Sequence, residues 1–436
     1  MIDAIEIKNF KSALDLSLEL GRVNVFIGEN GSGKSTVLEA LTMAGAAESR
    51  KLDTEILELR GMRVTEPKFM FSAFETSDSE KKIEITLTIG DEETHSRKIN
   101  IKNDLKTYSS WDCEFDFIVE LADGEVISDS TIKNQINVLL EDLTTRKNKV
   151  TYTSKKINDE ISELRSTNRS EFSEKLLKNL SLLNNENEML QKLESDVEAS
   201  MKRLKDLNRV SEILFMSIQR FVIYSPQNEQ LRDVVKDSKL QPIGIYGEGL
   251  FKLLQVIQKE QPKAMQDVYK GLELFGWYQS MNLPNDISSF DDDLEIKDKY
   301  LSDSFNLKST NEGFLYVLFY MALIVSQNTP KMFAIDNVDS ALNPKLCSKI
   351  ISLLTELAKK YNKQIFLTTH NPALIDGINL HDEDQKLYVI SRNKFGHTKA
   401  KQITADKKPK DSETGEPMRL SEAFLRGYLG GLPKGF

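Results

Sequence analysis

The sequence contains only two cysteines, Cys113 and Cys347, among its 436 residues. Two thiols exclude a disulfide framework and a four-thiolate metal site built from one chain, and they favour a reducing compartment. Long hydrophobic runs are missing as well: the longest, Phe314–Val325, has twelve residues, whereas a membrane-spanning helix needs about 20. The first residues show no basic segment followed by an apolar one, so no secretory signal is indicated. We therefore expect a cytoplasmic protein with no membrane partner, and a buried helix over the apolar run.

Positive charge is not in excess. The 58 lysines and arginines face 67 aspartates and glutamates, which gives a formal net charge of -9. A surface with this balance does not attract nucleic acid over its whole area, so contact with DNA or RNA is possible only at a local patch. At roughly 100 to 200 residues per domain, the length allows several domains, or one large domain that carries an insertion.

Proline and glycine are both missing from residues 131–217, which are rich in Lys, Glu, Asn and Leu and therefore favour long helices. Apolar residues recur there every seven positions, in two series separated by the polar stretch Arg165–Ser170. Such a repeat must be buried against a partner helix, so it predicts an antiparallel coiled-coil hairpin, with a globular helical lobe as the alternative. The first series is Ile136, Leu143, Val150, Ile157 and Leu164, and the second is Leu176, Leu183, Leu190, Val197 and Leu204. Leu180 and Met201 are predicted to fill the second apolar position of the repeat in the second series, the companion position.

The residues before this segment are rich in predicted strands. Alternating apolar and polar residues with β-branched side chains are typical of half-buried strands. The predicted strands lie at Ala4–Phe10, Leu14–Gly28, Lys68–Glu75, Ile83–Ile89 and Trp111–Leu121.

The strongest motif is GENGSGKST at Gly28–Thr36, which fits the pattern GxxxxGK[ST]. The apolar strand VNVFI precedes it and a helical segment follows it, which is the context that a phosphate-binding loop requires. Lys34 would face the β- and γ-phosphates of a nucleotide, and the Ser35 hydroxyl would be a Mg²⁺ ligand. The motif thus predicts binding of ATP and Mg²⁺, with the nucleotide held by Gly28, Asn30, Gly31, Ser32, Gly33, Lys34, Ser35 and Thr36.

Two further strand ends carry polar residues. The apolar stretch in KMFAIDNVDSALNP ends at Asp336, whose carboxylate is predicted to hold the Mg²⁺ ion. The next apolar stretch, in QIFLTTHNP, ends at His370, whose imidazole could sense a γ-phosphate. A histidine that only supports the strand is the alternative.

These motifs, in this order, resemble the ATP-binding cassette family, and in particular its SMC-like branch with RecF-type and overcoming-lysogenization-defect-type ATPases (the AAA15 and AAA21 groups). The resemblance rests on IEIKNFKS, the phosphate-binding loop, the helical insertion, DNVDSALNP and TTHNP. It implies an α/β fold: an ABC/SMC-like P-loop ATPase head, folded from both chain ends, with an inserted antiparallel coiled-coil hairpin. It also implies a homodimer or higher homo-oligomer in which nucleotide is held between two heads.

The expected organisation has four parts. Residues 1–130 form the first half of the head, and residues 131–217 form the hairpin. Residues 218–404 form the second half of the head, and residues 405–436 form a tail that packs on its own head or docks a partner.

The resemblance assigns further residues. The segment STNEGFLYVLFYMALI is similar to the signature loop that one head of such a dimer offers to the nucleotide of the other, which would place Asn311, Glu312 and Gly313 at the phosphates. A polar helix N-cap is the alternative for these residues. Lys11 matches a basic family position near the nucleotide, and an ordinary solvated lysine is equally compatible.

One departure from the family bears on catalysis. Rapidly hydrolysing members carry a glutamate directly after the Asp336 position, and that carboxylate activates the attacking water. Here the residue is Asn337, whose amide can hold a water but cannot accept its proton. Asp339 is the alternative base. Slow turnover and a long-lived ATP-bound dimer are therefore expected.

Three functions are compatible with these residues. In the first, the chain resembles ATPase subunits of Septu-type or retron-associated antiviral modules, and it controls a separate effector nuclease or toxin in bacterial antiphage defence. Too few residues follow His370 for the nuclease domain of related ATPases, so we expect that activity on another polypeptide. In the second, the chain is a DNA-repair or chromosome-maintenance ATPase that binds DNA. In the third, it is a scaffold that binds ATP without hydrolysing it.

Overall fold

The structure is a computed structural model that describes residues 1–74, 82–90, 93–106, 110–167, 174–233, 242–284, 295–410 and 415–431. Within these residues the helices are α1 (Lys34–Glu48), α2 (Thr54–Leu59), α3 (Asp129–Thr167), α4 (Glu174–Phe215), α5 (Asn228–Arg232), α6 (Leu250–Glu260), α7 (Pro262–Leu272), α8 (Glu312–Val325), α9 (Pro344–Lys360), α10 (Pro372–Ile375) and α11 (Leu420–Leu425). The strands are β1 (Ala4–Phe10), β2 (Ala13–Glu19), β3 (Val23–Ile27), β4 (Lys82–Gly90), β5 (Thr94–Asn103), β6 (Trp111–Glu120), β7 (Val126–Ser128), β8 (Ile223–Tyr224), β9 (Tyr278–Asn282), β10 (Glu295–Asp298), β11 (Phe305–Asn306), β12 (Met332–Ile335), β13 (Gln364–Thr369), β14 (Gln385–Arg392) and β15 (Thr398–Ile403).

A six-stranded, mostly parallel sheet positions the phosphate-binding loop. Its order is β15-β14-β3-β13-β12-β8, and only β15 runs antiparallel to its neighbour. Every residue of β3, β12 and β13 is buried, as expected for parallel strands that are covered on both faces. Because the strands are parallel, their carboxyl ends meet at one edge of the sheet.

Two other sheets complete the β-structure of the described residues. One has the order β2-β1-β4-β5-β6-β7, and the other is antiparallel with the order β11-β10-β9. The predicted strand at Lys68–Glu75 is wrong over its described part: Pro67–Phe69 form a short 3-10 helix, and Phe71 makes only an isolated bridge with Phe10. Glu75 itself lies outside the described residues.

Helix α8 confirms the buried helix that the apolar run predicts. Every residue of Gly313–Val325 is buried, and the Phe314 ring packs against Trp277. Each large apolar side chain of this kind contributes about 1.5–3 kcal/mol through burial. The helix begins after Asn311, whose Oδ1 accepts a hydrogen bond from the Phe314 N–H at 2.8 Å.

The chain divides into two compact units. The first comprises residues 1–89, 98–115 and 215–436, and the second comprises residues 90–97 and 116–214. The second unit contains α3 and α4, two long helices that form a hairpin. The mixed α/β class with an inserted helical hairpin is thus confirmed. Part of the predicted reversal at Arg165–Ser170 lies outside the described residues.

The hairpin seam buries Ile136, Ile157, Leu176 and Val197 and half-buries the other members of the predicted sevenfold series, but it leaves the predicted second apolar position exposed. Leu180 and Met201 are 37% and 51% exposed, respectively, so that assignment is wrong. The second seam position of the seven-residue repeat lies one residue earlier in the chain than predicted. Asn179 and Glu186 occupy it. These polar residues pair with polar partners on α3: Asn179 Nδ2 with the Glu160 carboxylate at 3.2 Å and Glu186 with Arg146 at 2.9 Å. A search for apolar residues alone misses such layers.

The described tail packs on the first unit. Leu420 and Phe424 of α11 are buried in its core, and the Ser421 hydroxyl donates to Asp376 Oδ2 at 2.6 Å. Residues 432–436 lie outside the described part of the chain. Among the helices that are described, none is long and apolar enough to cross a membrane.

A buried lysine side chain fixes the connection between α8 and β12. Lys363 is 3% exposed, and its Nζ lies 2.7 Å from the Ser326 carbonyl, 2.8 Å from Thr329 Oγ1, and 3.1 Å from the carbonyls of Thr329 and Pro330. One side chain thereby satisfies several buried acceptors in the segment that leads into β12.

We expect Lys363→Met to lower the free energy of unfolding by about 3 kcal/mol, because it leaves these buried carbonyls without a donor. Urea unfolding followed through the fluorescence of the half-buried Trp277 measures the loss. The control is Lys349→Met, at an exposed position of α9, for which less than about 0.5 kcal/mol is expected. Equal effects of the two substitutions would show that the buried amino group of Lys363 contributes nothing to stability.

Candidate functional site

The phosphate-binding loop joins β3 to α1 and requires glycine at two close approaches. A Cβ on Gly33, which has φ 108°, would lie 2.2 Å from Thr398 Oγ1. A Cβ on Gly28 would lie 2.1 Å from the Ile390 carbonyl oxygen. Strands β14 and β15 therefore brace the loop from outside, and only glycine fits beneath them.

Lys34 lies in the first turn of α1 and is buried inside the loop. Its Nζ donates to the carbonyls of Gly28 and Glu29, both at 2.9 Å, and lies 3.4 Å from His370 Nδ1. Burial lowers the pKa of Lys34 to about 8, although the carboxylates of Asp336 and Asp339 oppose the shift. The ammonium form is thus retained at neutral pH, next to an anion-binding loop.

Ser35 and Asp336 bring two oxygen ligands together. The Ser35 hydroxyl lies 3.4 Å from Asp336 Oδ2, and the Thr368 hydroxyl donates to Asp336 Oδ1. This pair fits Mg²⁺, because that ion keeps several waters and is held in proteins by one or two oxygen side chains together with substrate phosphates. Among the described residues, no group of three or more His, Cys, Asp or Glu side chains could hold a metal ion alone.

His370 follows β13, between the loop and Asp336. Burial lowers the pKa of His370, and the nearby Lys34 ammonium lowers it further. The imidazole is therefore neutral at pH 7, so its Nδ1 can accept a hydrogen bond from the Lys34 ammonium.

Asn337 lies directly after Asp336, in a left-handed backbone conformation with φ 55°. Its side chain is exposed, and its backbone N–H donates to Thr368 Oγ1 at 2.8 Å. Asp339 is half-buried, and its Oδ1 has no hydrogen-bond partner within the described part of the chain. Its negative charge acts on the pKa values of both Lys34 and His370.

A cavity of about 330 Å³ gathers most of these groups. The sequence-predicted residues in its lining are Asn30, Gly31, Gly33, Lys34, Ser35, Thr36, Asp336, Asn337 and His370. Gly28 and Ser32 instead form the buried backbone of the loop.

The other sequence-predicted residues lie outside the lining of this cavity. Asn311 caps α8, and Gly313 is packed so closely that a Cβ there would lie 2.8 Å from the Ala341 carbonyl oxygen. Glu312 is exposed beside them. Lys11 points at the buried Glu39, whose carboxylate lies 2.9 Å from the lysine Nζ.

Two arginines in the cavity lining have no counterpart in the sequence prediction. Arg63 follows α2, and Arg392 ends β14, the strand beside β3. Like Asp336 and His370, Arg392 lies at the carboxyl end of a strand. Its place beside the loop follows only from the pairing of β14 with β3, which the sequence does not reveal. Arg63 lies in a loop without a motif, so only the fold brings it to the site.

The head fold is similar to solved Smc head domains. The SmcHead bound to the C-winged helix domain of ScpA has a TM-score of 0.50, with 13% sequence identity over 93% of this chain and 98% of that chain. A Pyrococcus furiosus Smc head domain with an extended coiled coil, bound to the C-terminal domain of ScpA, has a TM-score of 0.44, with 12% identity over 93% of this chain and 97% of that chain. The SMC head domain from Thermotoga maritima has a TM-score of 0.43, with 12% identity over 93% and 99%.

These identities establish similarity of fold alone, which confirms the predicted SMC-like head. A comparison with curated proteins finds no match. The family model described as AAA ATPase domain (AAA_15) matches residues 1–375. That range contains the phosphate-binding loop, Asp336 and His370. The chain therefore belongs to the AAA_15 family of AAA ATPase domains, which implies that it binds nucleotide.

Proposed function

We propose that this chain is an ATP-binding, slowly hydrolysing ATPase subunit that oligomerises on ATP and controls a separate effector nuclease or toxin in bacterial antiphage defence. The observation that carries the ATPase part is the convergence of Lys34, Ser35 and Asp336 in one cavity. The loop amides and the Lys34 ammonium would hold the phosphates, and Ser35 with Asp336 would hold Mg²⁺, which supplies charge neutralisation when bound.

Oligomerisation on ATP is supported by the position of the signature-like residues. Asn311, Glu312 and Gly313 lie outside the cavity lining of their own chain. Asn311 and Glu312 are exposed at the start of α8, whereas Gly313 is buried. Gly313 packs against Ala341 of the DNVDSALNP segment, so the two segments present one surface. We infer that this surface binds a second copy of the chain. The nucleotide in the cavity of that copy would then be covered by its own loop on one side and by this surface on the other.

Slow hydrolysis is supported by Asn337. The side chain is exposed at the cavity, where the base of rapidly hydrolysing relatives is expected, but an amide does not accept a proton at neutral pH. Asp339 remains the alternative base, because none of the residues that the structure describes forms a hydrogen bond with its Oδ1. If the rate of hydrolysis is zero, the chain is a scaffold that binds ATP without hydrolysing it.

Control of an effector rests on the resemblance to antiviral ATPases, and DNA binding is the competing function. The weak basic run at Lys147–Lys156 is partly neutralised, since Lys147 pairs with Glu194 at 3.1 Å. Co-purification of a nuclease encoded beside this chain would support effector control. Salt-dependent binding of duplex DNA by the whole chain would support the alternative.

We expect the molar mass of the wild-type chain to rise at least twofold when ATP and Mg²⁺ are added, as measured by size-exclusion chromatography with light scattering. Lys34→Ala should abolish the change because it removes the phosphate-binding ammonium. Glu312→Ala should keep nucleotide affinity but weaken the oligomer. If the molar mass of the wild-type chain stays the same when ATP is bound, ATP-dependent assembly is contradicted.

We expect Asn337→Glu to raise steady-state ATP hydrolysis about tenfold or more, because it supplies the missing base. Asn337→Gln is the matched control, since it imposes the same strain on the left-handed backbone but adds no carboxylate. Phosphate release under saturating ATP measures both variants. If the glutamine variant accelerates as much as the glutamate variant, the base is not what the wild-type chain lacks.

We expect ATP affinity to be constant below about pH 8 and to weaken by up to tenfold per unit above it. Burial lowers the pKa of Lys34 to about 8 in the free protein, so above that pH the amine is neutral and must take up a proton when a polyanion binds. Calorimetry in two buffers of different ionisation enthalpy, from pH 6.5 to 9.5, detects the uptake. A dissociation constant that stays flat to pH 9.5 would rule this out.

A further inference from the structure

Arg232, the last residue of α5, binds the backbone just before the signature-like residues. Its Nη1 lies 2.8 Å from the Leu307 carbonyl oxygen and 2.9 Å from that of Lys308. Its Nη2 lies 2.6 Å from the Thr310 carbonyl oxygen, and its Nε donates to Asn228 Oδ1 at 2.9 Å within the same short helix. The guanidinium therefore joins α5 to the turn that leads into α8.

Hydrogen bonds within that turn set its shape. Asn306 Oδ1 accepts hydrogen bonds from the Ser309 N–H and hydroxyl, both at 3.2 Å, and the Thr310 hydroxyl donates to the Asn306 carbonyl at 3.2 Å. Buried Leu307 holds the turn to the core through apolar contact, which is not directional. Arg232 adds directional bonds from another segment, and a planar guanidinium suits this role because it reaches several carbonyls at once.

The segment that carries Arg232 is tied to the sheet edge of the phosphate site. It follows β8, and the Asp336 N–H donates to the carbonyl of Tyr224, the last residue of β8, at 2.9 Å. The Tyr316 hydroxyl, in the second turn of α8, donates to the Pro226 carbonyl at 2.9 Å. Arg232 and Tyr316 thus hold the start of α8 to the strand that ends beside Asp336.

We propose that Arg232 is a positioning residue for ATP-dependent self-association, because it holds the signature-like residues where they contact the nucleotide of a second copy. This assignment rests on the proposed function, in which the surface at Asn311 and Glu312 binds that copy. Both side chains are exposed, whereas Arg232 is half-buried and lies outside the cavity lining of its own chain. Arg232 acts through the loop and does not touch the nucleotide of its own chain.

The test compares two dissociation constants of the whole chain in ATP and Mg²⁺. Analytical ultracentrifugation measures that of self-association, and fluorescence of a labelled chain, diluted below the concentration at which it associates, measures that of ATP. Arg232→Lys keeps the charge but loses the planar fork, so it should weaken self-association about tenfold and leave ATP affinity within about twofold of wild type. Arg232→Gln should weaken self-association at least as much. If the glutamine variant does not fold, the lysine variant decides.

Two further readouts separate positioning from a general loss of stability. In the Glu312→Ala background, Arg232→Lys should weaken self-association by less than about threefold, because the contact that it positions is already lost. Hydrogen–deuterium exchange of the ATP-free Arg232→Lys chain should become faster across residues 307–314 but not across the GENGSGKST loop. A head that is destabilised throughout would exchange faster in both segments.

The matched control is Arg203→Lys, at an exposed position of the hairpin, which should leave both constants unchanged. The inference is overturned if Arg232→Lys leaves self-association within about twofold of wild type, or weakens ATP binding as much as self-association. If Glu312→Ala weakens the oligomer and Arg232→Lys does not, the inference alone fails and the proposed assembly stands. A wild-type chain that binds ATP without associating would remove both.

Discussion

The parallel pairing of three buried strands determines where the GENGSGKST loop, Asp336 and His370 lie relative to one another. Ile27, the last residue of β3, pairs with Thr369, the last residue of β13, so the loop and His370 leave the sheet at the same level. Ile335 pairs with Leu367 on the other side of β13. No local sequence feature sets these distances, which follow from register and spacing between neighbouring strands.

The local parts of the site could be predicted from sequence, and the parts that depend on chain packing could not. The loop at Gly28–Thr36 carries its own backbone requirements, so its residue types reveal it. Arg63 reaches the cavity only through Glu39 on another helix, a relation that spacing along the chain does not encode. In the hairpin, the same limit applies to Asn179 and Glu186, because their partners lie on the opposite helix.

Asn337 shows that one residue can satisfy two constraints. The backbone there is left-handed, a conformation in which asparagine is several-fold enriched among residues with a side chain. The same residue is the one that we propose slows hydrolysis, because its amide cannot accept a proton. The turn after β12 therefore favours asparagine for conformational reasons, and a glutamate in its place would have to bear strain of about 1 kcal/mol or more.

The brace around the phosphate-binding loop comes from residues far apart in the chain. Thr398 Oγ1 lies 2.8 Å from Ser12 Oγ and 3.1 Å from the Ser32 carbonyl, and the Tyr388 hydroxyl donates to the Glu19 carbonyl. Such non-local contacts form slowly and late. During synthesis, the loop is made early but stays unsupported until β14 and β15 have left the ribosome. A chain without β14 and β15 would therefore contain the whole loop motif but lack the contacts that hold the loop in place.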